Sequence, residues 1–222
     1  MFSLLAATGS SQTLCVSASR ASEMANRSYL AATDNDTIYP SASEPKYEPG
    51  AQTIAQGVYC VPLVWLGLFR PSDMRTQDFN IDGDTVTGVA PVADVETAAA
   101  QLRQSATTYD QMFPDGHFAD YCDLLAEAVT SIGRKYVTVE MEEIACMDDP
   151  DEFYDDFRLA LRSFAGVESI ADGRDKLITI SEVNTQVTIP TARCMLDHAG
   201  VSDDQLDTHS RIIGCAWIRP VP

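Results

Sequence analysis

The chain has 222 residues, of which 45% are apolar and 22% charged, a composition typical of a folded domain and not of a disordered chain. Its 33 acidic side chains outnumber 15 basic ones, and the resulting net charge of −18 repels nucleic-acid phosphates and anionic membranes. No apolar run approaches the roughly 20 residues that a membrane-spanning helix needs. We therefore expect one soluble domain with no nucleic-acid or membrane partner, and a basic protein as the favoured partner.

The first 23 residues differ from the rest of the chain. Segment 1–23 is rich in small residues and has no basic side chain before Arg20, whereas a secretory signal begins with positive charge. The sequence predicts that 1–23 is a disordered tail or follows a start placed too early, with Met24 as the natural start and a signal peptide as the remaining alternative. Residues 24–222 are then one globular domain.

Strands dominate the predicted elements of the first half. We expect a strand at 28–32, a polar loop of some twenty residues, a short strand at 58–61, and a buried helix that begins near Pro62. Asp82-Gly83 separates two strand-like runs, and this dipeptide is typical of a two-residue hairpin turn.

Helical spacing follows in the middle of the chain. Apolar residues recur at helical intervals over 95–109 and 118–132, with Asp94 as the predicted cap of the first helix and Gly133 as the end of the second. Residues 136–142 alternate between apolar and polar, which predicts a half-buried strand.

The last third combines both patterns. A helix is predicted to begin at Asp149, with proline in its first turn, and a capping box at Ser202 predicts another over 202–210. The remaining predictions are a hairpin of 177–180 with 186–189, a short helix at 191–198 and a final strand at 211–218. The expected fold is α+β, with a mixed or antiparallel sheet of five or six strands packed against several helices.

The segment MANRSYL at residues 24–30 resembles the M-x-N-R-S-Y-L opening of an uncharacterised bacterial family. A looser similarity lies near Pro62 and over residues 147–157. The resemblance implies a bacterial origin, and the family has no established activity.

Nine of the eighteen residues from Glu140 to Phe157 are acidic. We interpret them as a solvated surface and a helix start: Glu140 and Glu142 share the polar face of a strand, and a helix N-terminus favours the later carboxylates. The alternative is an enzyme or metal site in which Glu140, Glu142, Glu143 and Asp148 converge, since hard cations bind carboxylate oxygens.

Two other patterns have the residue types of metal sites. Asp78, Asn80 and Asp82 match the first half of a calcium loop, but position twelve is Val89 where a glutamate is needed, so a hairpin is the preferred interpretation. A zinc site could use three nitrogen and sulfur ligands, but a buried thiol and two solvent-facing imidazoles are the preferred interpretation, because no second cysteine pair accompanies them. These ligands are Cys194, His198 and His209.

No nucleophile elbow, dinucleotide fingerprint or phosphate-binding loop is present in the sequence, so no cofactor is predicted. The six cysteines are dispersed and contain no C-x-x-C pair, which is typical of buried, reduced thiols in the cytoplasm.

The leading hypothesis is a non-catalytic, cytoplasmic acidic module that binds a basic protein, as immunity proteins and regulators do. Aromatic side chains in the long polar loop suit a binding edge. The predicted binding residues are Tyr39, Tyr47, Glu140, Glu142, Asp148, Asp151 and Asp155.

Overall fold

The computed structural model describes residues 26–38, 51–81, 84–189, 191–192 and 201–215. Its strands are β1 (Arg27–Thr33), β2 (Gln52–Val58), β3 (Met74–Ile81), β4 (Asp84–Asp94) and β5 (Tyr136–Glu140). They form one antiparallel sheet in the spatial order β2-β1-β5-β4-β3. The predicted α+β fold is confirmed, with an antiparallel sheet of five strands.

The described α-helices are α1 (Val95–Met112), α2 (Phe118–Ser131), α3 (Glu142–Ala145), α4 (Pro150–Phe164), α5 (Ile170–Ser181) and α6 (Asp203–Ile213). Two short 3-10 helices lie at Leu63–Leu68 and Pro71–Asp73. Helix α1 packs against α2, and α4 packs against α5. Within the described ranges, no helix combines the length and the apolar character needed to cross a bilayer.

Local sequence rules explain where several helices begin and end. The Asp94 carboxylate accepts a hydrogen bond from the Thr97 N–H at 2.9 Å and caps α1, as predicted. Gly133 has a φ of 71° just after α2, a left-handed conformation that glycine adopts without strain. Ser202 and Gln205 form the predicted capping box of α6.

The central strand β5 divides its side chains between two environments. Val139 pairs with Leu30 of β1 and Val137 pairs with Ala93 of β4, and all four belong to the main hydrophobic core. Because side chains alternate along a strand, Glu140 lies on the opposite face of the sheet. The strand ends at this residue, two residues earlier than predicted.

The 3-10 helix at Leu63–Leu68 is the centre of the helical layer. All six of its residues are buried, and it contacts α1, α2, α4, α5 and α6. Pro62 immediately precedes it, as the sequence predicted for the start of a short buried helix. The Trp65 indole N–H donates to the Ile213 carbonyl at 2.9 Å, which ties the end of α6 to this centre.

The predicted hairpin around Asp82-Gly83 is confirmed by the register. Ile81 pairs with Asp84, so the connection between β3 and β4 is two residues long, and those two residues lie outside the described ranges.

Three other predictions were wrong. The expected strand at 58–61 lies earlier, because β2 ends at Val58 and Tyr59 turns the chain with a φ of 59°. Residues 177–180 belong to α5 and not to a hairpin: Leu177 and Ile180 are three apart, and both are buried on one helix face.

The expected final strand is wrong where it can be examined. Residues 211–213 end α6, and only Cys215 bridges to the sheet, at Gln56. Residues 216–218, and most of the predicted helix at 191–198, lie outside the described ranges.

Candidate functional site

Glu140 is buried at the end of β5, with 7% of its surface exposed. The sequence placed it on a solvated polar face, and this prediction was wrong. The chain turns at Met141 into α3, which packs against β1 and α4 and so encloses this end of the sheet. Glu142 is not on the strand at all, because it begins α3.

Burial changes the acidity of Glu140. Loss of solvent, and to a smaller extent the nearby carboxylates of Glu143 and Glu142, together raise the pKa of its carboxyl to about 7. A hydrogen bond from the Glu142 N–H to Oε1 of Glu140, at 3.0 Å, acts in the opposite direction. Glu140 therefore exchanges a proton near neutral pH, which is unusual for a carboxylic acid and common at functional sites.

A surface depression of about 290 Å³ lies beside this buried carboxyl. It is lined by Asn26, Glu142, Glu143 and Cys146. The Glu143 carboxylate accepts a hydrogen bond from the Arg27 backbone N–H at 2.9 Å, which links α3 to the start of β1.

Cys146 is not an activated nucleophile. It is exposed, but partial burial and the Glu142 carboxylate raise the pKa of its thiol, which keeps the sulfur protonated. Its exposure contradicts the expected burial of the cysteines, whereas Cys60 and Cys122 are buried as predicted.

The carboxylates that follow Glu140 have different fates. Asp149 caps α4 by accepting from the Asp151 N–H at 3.0 Å. Asp155 pairs with Arg158 at 3.1 Å, and Asp156 pairs with Lys176 at 2.7 Å.

Five carboxylates of the same segment have no ion pair with any described lysine or arginine. They lie within five positions of Met147 in the sequence, and Met147 is an exposed apolar side chain with 44% of its surface accessible. We call this surface the acidic face, and it consists of Glu142, Glu143, Asp148, Asp151 and Glu152.

The other predicted metal-binding residues do not gather into a site within the described ranges. Asp78 is exposed on β3 and accepts a hydrogen bond from the Thr87 hydroxyl at 2.7 Å, a cross-strand contact within the β3–β4 pair. Asn80 is exposed on the same strand, and Asp82 lies outside the described ranges. Among the described residues, no group of three or more His, Cys, Asp or Glu side chains could hold a metal ion.

His209 lies on α6, and its Nδ1 is 3.1 Å from the Tyr121 hydroxyl. Its predicted zinc-binding companions, Cys194 and His198, lie outside the described ranges, as do the loop aromatics Tyr39 and Tyr47.

Sequence reasoning missed a second cavity, of about 360 Å³, between α1, α4 and the chain that follows the 3-10 helix at Leu63–Leu68. Gln101, Arg70 and Phe164 are among its lining residues. These residues are separated by more than thirty positions, so no local motif could have joined them; the only sequence signal is a glutamine at a position of the apolar helical face.

A scan against family models, a search of curated proteins and a search of solved structures each found no match for the chain.

Proposed function

We propose that the protein is a non-catalytic binding module whose acidic face receives a basic protein. The observation that supports this most directly is the group of five carboxylates without a described ion-pair partner, although other carboxylates nearby are paired. A carboxylate that the fold does not use for a cap or an ion pair remains available to an external cation.

The chemistry around Met147 suits protein contact. Methionine is enriched in interfaces because its flexible side chain adapts to a partner, and the exposed Met147 has five of these carboxylates within five positions along the chain. The net charge of −18 would steer a basic protein toward the molecule and accelerate encounter. A cytoplasmic location is part of the same proposal, supported by three free cysteines, at 60, 122 and 146.

The test compares two fourfold variants that carry the same net charge. The first variant neutralises four of the five carboxylates of the acidic face and leaves Glu142 unchanged. It also retains Asp149, so that the cap of α4 is preserved. Its changes are Glu143→Gln, Asp148→Asn, Asp151→Asn and Glu152→Gln. The matched control neutralises four exposed carboxylates on other elements; its changes are Glu96→Gln, Asp115→Asn, Glu127→Gln and Asp204→Asn.

Each protein is immobilised, exposed to cell extract at low ionic strength and eluted with rising salt. We expect the wild type and the control to retain the same basic protein and to release it as salt screens the charges, whereas the acidic-face variant does not retain it. Equal retention by both variants, or no basic protein released by salt, would contradict the proposal.

A second candidate function is proton transfer or metal binding around Glu140–Asp148. The observation in its favour is the buried Glu140 carboxyl, with a pKa of about 7, beside the depression lined by Glu142 and Glu143. Because no group of three or more His, Cys, Asp or Glu side chains in the described part of the chain could hold a metal ion, the metal form would rest on Glu142 and Glu143 alone, and elemental analysis of the purified protein checks it. Stoichiometric metal that is lost in a Glu142→Gln and Glu143→Gln double variant would favour this candidate over the first.

A further inference from the structure

The cavity between α1 and α4 is lined by a mostly buried glutamine whose side-chain amide has no protein partner among the described residues. Gln101 lines the cavity, only 7% of its surface is exposed, and no described residue makes a hydrogen bond to its side-chain amide. Ser105, one turn further along α1, also lines the cavity, and its hydroxyl donates to the Gln101 carbonyl at 3.0 Å. Because the Gln101 amide is not among the fully buried atoms that lack a partner, it reaches the solvent in the cavity, where a ligand can replace water as its hydrogen-bond partner.

Arg70 also lines this cavity, and its guanidinium has no carboxylate partner among the described residues. Seven described arginines form ion pairs with aspartate or glutamate, but Arg70 forms none with any described residue. The nearest acidic side chain in sequence, Asp73, accepts a hydrogen bond from the Arg70 backbone N–H at 2.7 Å. An unpaired guanidinium is notable in a chain whose acidic side chains outnumber its basic ones by 33 to 15.

The lining of the cavity is half apolar: Phe69, Leu161, Phe164 and Ala165 share it with four polar or charged residues. Phe69 and Leu161 are fully buried lining residues. Phe164 also lines the cavity, and its ring packs against Tyr109 with centroids 4.8 Å apart, which restrains its position. An apolar wall with a few convergent polar groups is the usual composition of a small-molecule site.

We propose that this cavity binds a small carboxylate with an apolar body. The guanidinium of Arg70 would hold the carboxylate, the Gln101 amide would donate to it, and the body would lie against Phe164 and Leu161. A wholly apolar ligand would leave the buried amide unsatisfied, and a cationic ligand would be repelled by Arg70. The site is separate from the acidic face.

The volume limits the size of the ligand. A cavity of about 360 Å³ equals about twelve water volumes of about 30 Å³ each, which suits a molecule of roughly ten non-hydrogen atoms. Octanoate has this size and the required chemistry, and octylammonium offers the same chain with the opposite charge.

The full-length protein is titrated with each probe and followed by two-dimensional amide NMR. We expect saturable shifts with octanoate at residues that line the cavity, Ser105 and Ala165 among them, and no saturable shifts there with octylammonium. Arg70→Gln should weaken octanoate binding about tenfold, because it removes a charge-assisted hydrogen bond. Gln101→Leu, which replaces the amide with an apolar side chain of similar size, should weaken octanoate binding by a smaller factor.

Arg103→Gln is the matched control. Arg103 is exposed on α1, pairs with Asp123 and does not line the cavity, so the substitution makes the same change in net charge elsewhere. Octanoate affinity should stay within about twofold of the wild type. The proposal is overturned if octanoate causes no saturable shifts at the cavity, if octylammonium binds there equally well, or if the two arginine variants lose affinity alike.

Discussion

Tyr109 and Glu140 both bury a polar group, but Tyr109 has hydrogen-bond partners for its hydroxyl on two sides and Glu140 has only one for its carboxyl among the described residues. The Tyr109 hydroxyl lies in the main core, where it donates to the Leu63 carbonyl at 2.8 Å and accepts from the Gly67 N–H at 2.9 Å. Glu140 lies on the other face of the sheet, with one hydrogen bond from the Glu142 N–H and two carboxylates nearby.

The difference separates a structural contact from a titratable site. Tyr109 has both a donor and an acceptor in place, so it fastens α1 to the 3-10 helix at Leu63–Leu68 and stays neutral. Burial raises the pKa of its hydroxyl well above the usual value. Glu140 instead changes its charge near neutral pH, because no cation compensates for its loss of water among the groups that shift its pKa.

The largest effect is expected from Tyr109→Phe. The ring and its packing against Phe118, at 5.2 Å between centroids, remain, but the Gly67 N–H and the Leu63 carbonyl lose their partner inside the core. The free energy of unfolding should fall by about 2–4 kcal/mol. Urea denaturation of this variant and of Tyr59→Phe measures the difference. Tyr59 is an exposed tyrosine, and its variant should stay within about 0.5 kcal/mol of the wild type.

Glu140→Gln should produce a pH-dependent effect of similar size. The pKa of Glu140 is about 7 in the folded protein against an ordinary 4.5, so the folded state holds the proton more tightly than the unfolded state. Protonated Glu140 therefore contributes its full stabilisation below about pH 4.5. As pH rises through about 7 this contribution is lost, and the free energy of unfolding falls by about 3 kcal/mol in total. Glu140→Gln keeps an oxygen that can accept from the Glu142 N–H, and its free energy of unfolding should not show this fall between about pH 4.5 and about pH 7.

Urea denaturation, repeated at steps of about one pH unit from about pH 4 to about pH 9, compares the wild type with Glu140→Gln. Glu127→Gln serves as the control, because Glu127 is exposed on α2 and the substitution makes the same chemical change on the surface. If the wild type and Glu140→Gln follow parallel curves, Glu140 titrates normally and the contrast with Tyr109 disappears.

The smallest effects are expected for exposed carboxylates near Glu140. Asp149→Ala removes the cap of α4 and should lower the free energy of unfolding by about 1 kcal/mol. Asp155→Asn breaks only an exposed pair with Arg158 and should change it by less than about 0.5 kcal/mol. Thermal unfolding at one pH ranks the two variants. A larger loss for Asp155→Asn would show that carboxylates of this segment stabilise the fold in a way that their exposure does not explain.

Helix ends and the hairpin could be predicted because their causes are local. The cap at Asp94, the glycine at 133 and the box at Ser202 each involve residues within about four positions, where chain connectivity alone brings the partners together. The short run at 177–180 misled the prediction because a few β-branched residues fit a strand or a buried helix face equally well, and packing made the choice.

The acidic segment contains both kinds of feature within a few residues: some are set by neighbouring residues and one is set by tertiary packing. Its helix start and its exposed carboxylates follow from the order of the residues, but the burial of Glu140 depends on α3 packing against β1, more than a hundred positions earlier in the chain.

The sequence by itself determined the fold class, the capped helix ends, the hairpin and the large negative charge, all of which depend on neighbouring residues or on composition. Only the tertiary structure decided which carboxyl is buried, which carboxylates remain unpaired, and that Arg70 and Gln101 meet at one cavity. The reason is physical: exposure to water and the set of charges nearby are properties of the packed molecule, and residues distant along the chain create them.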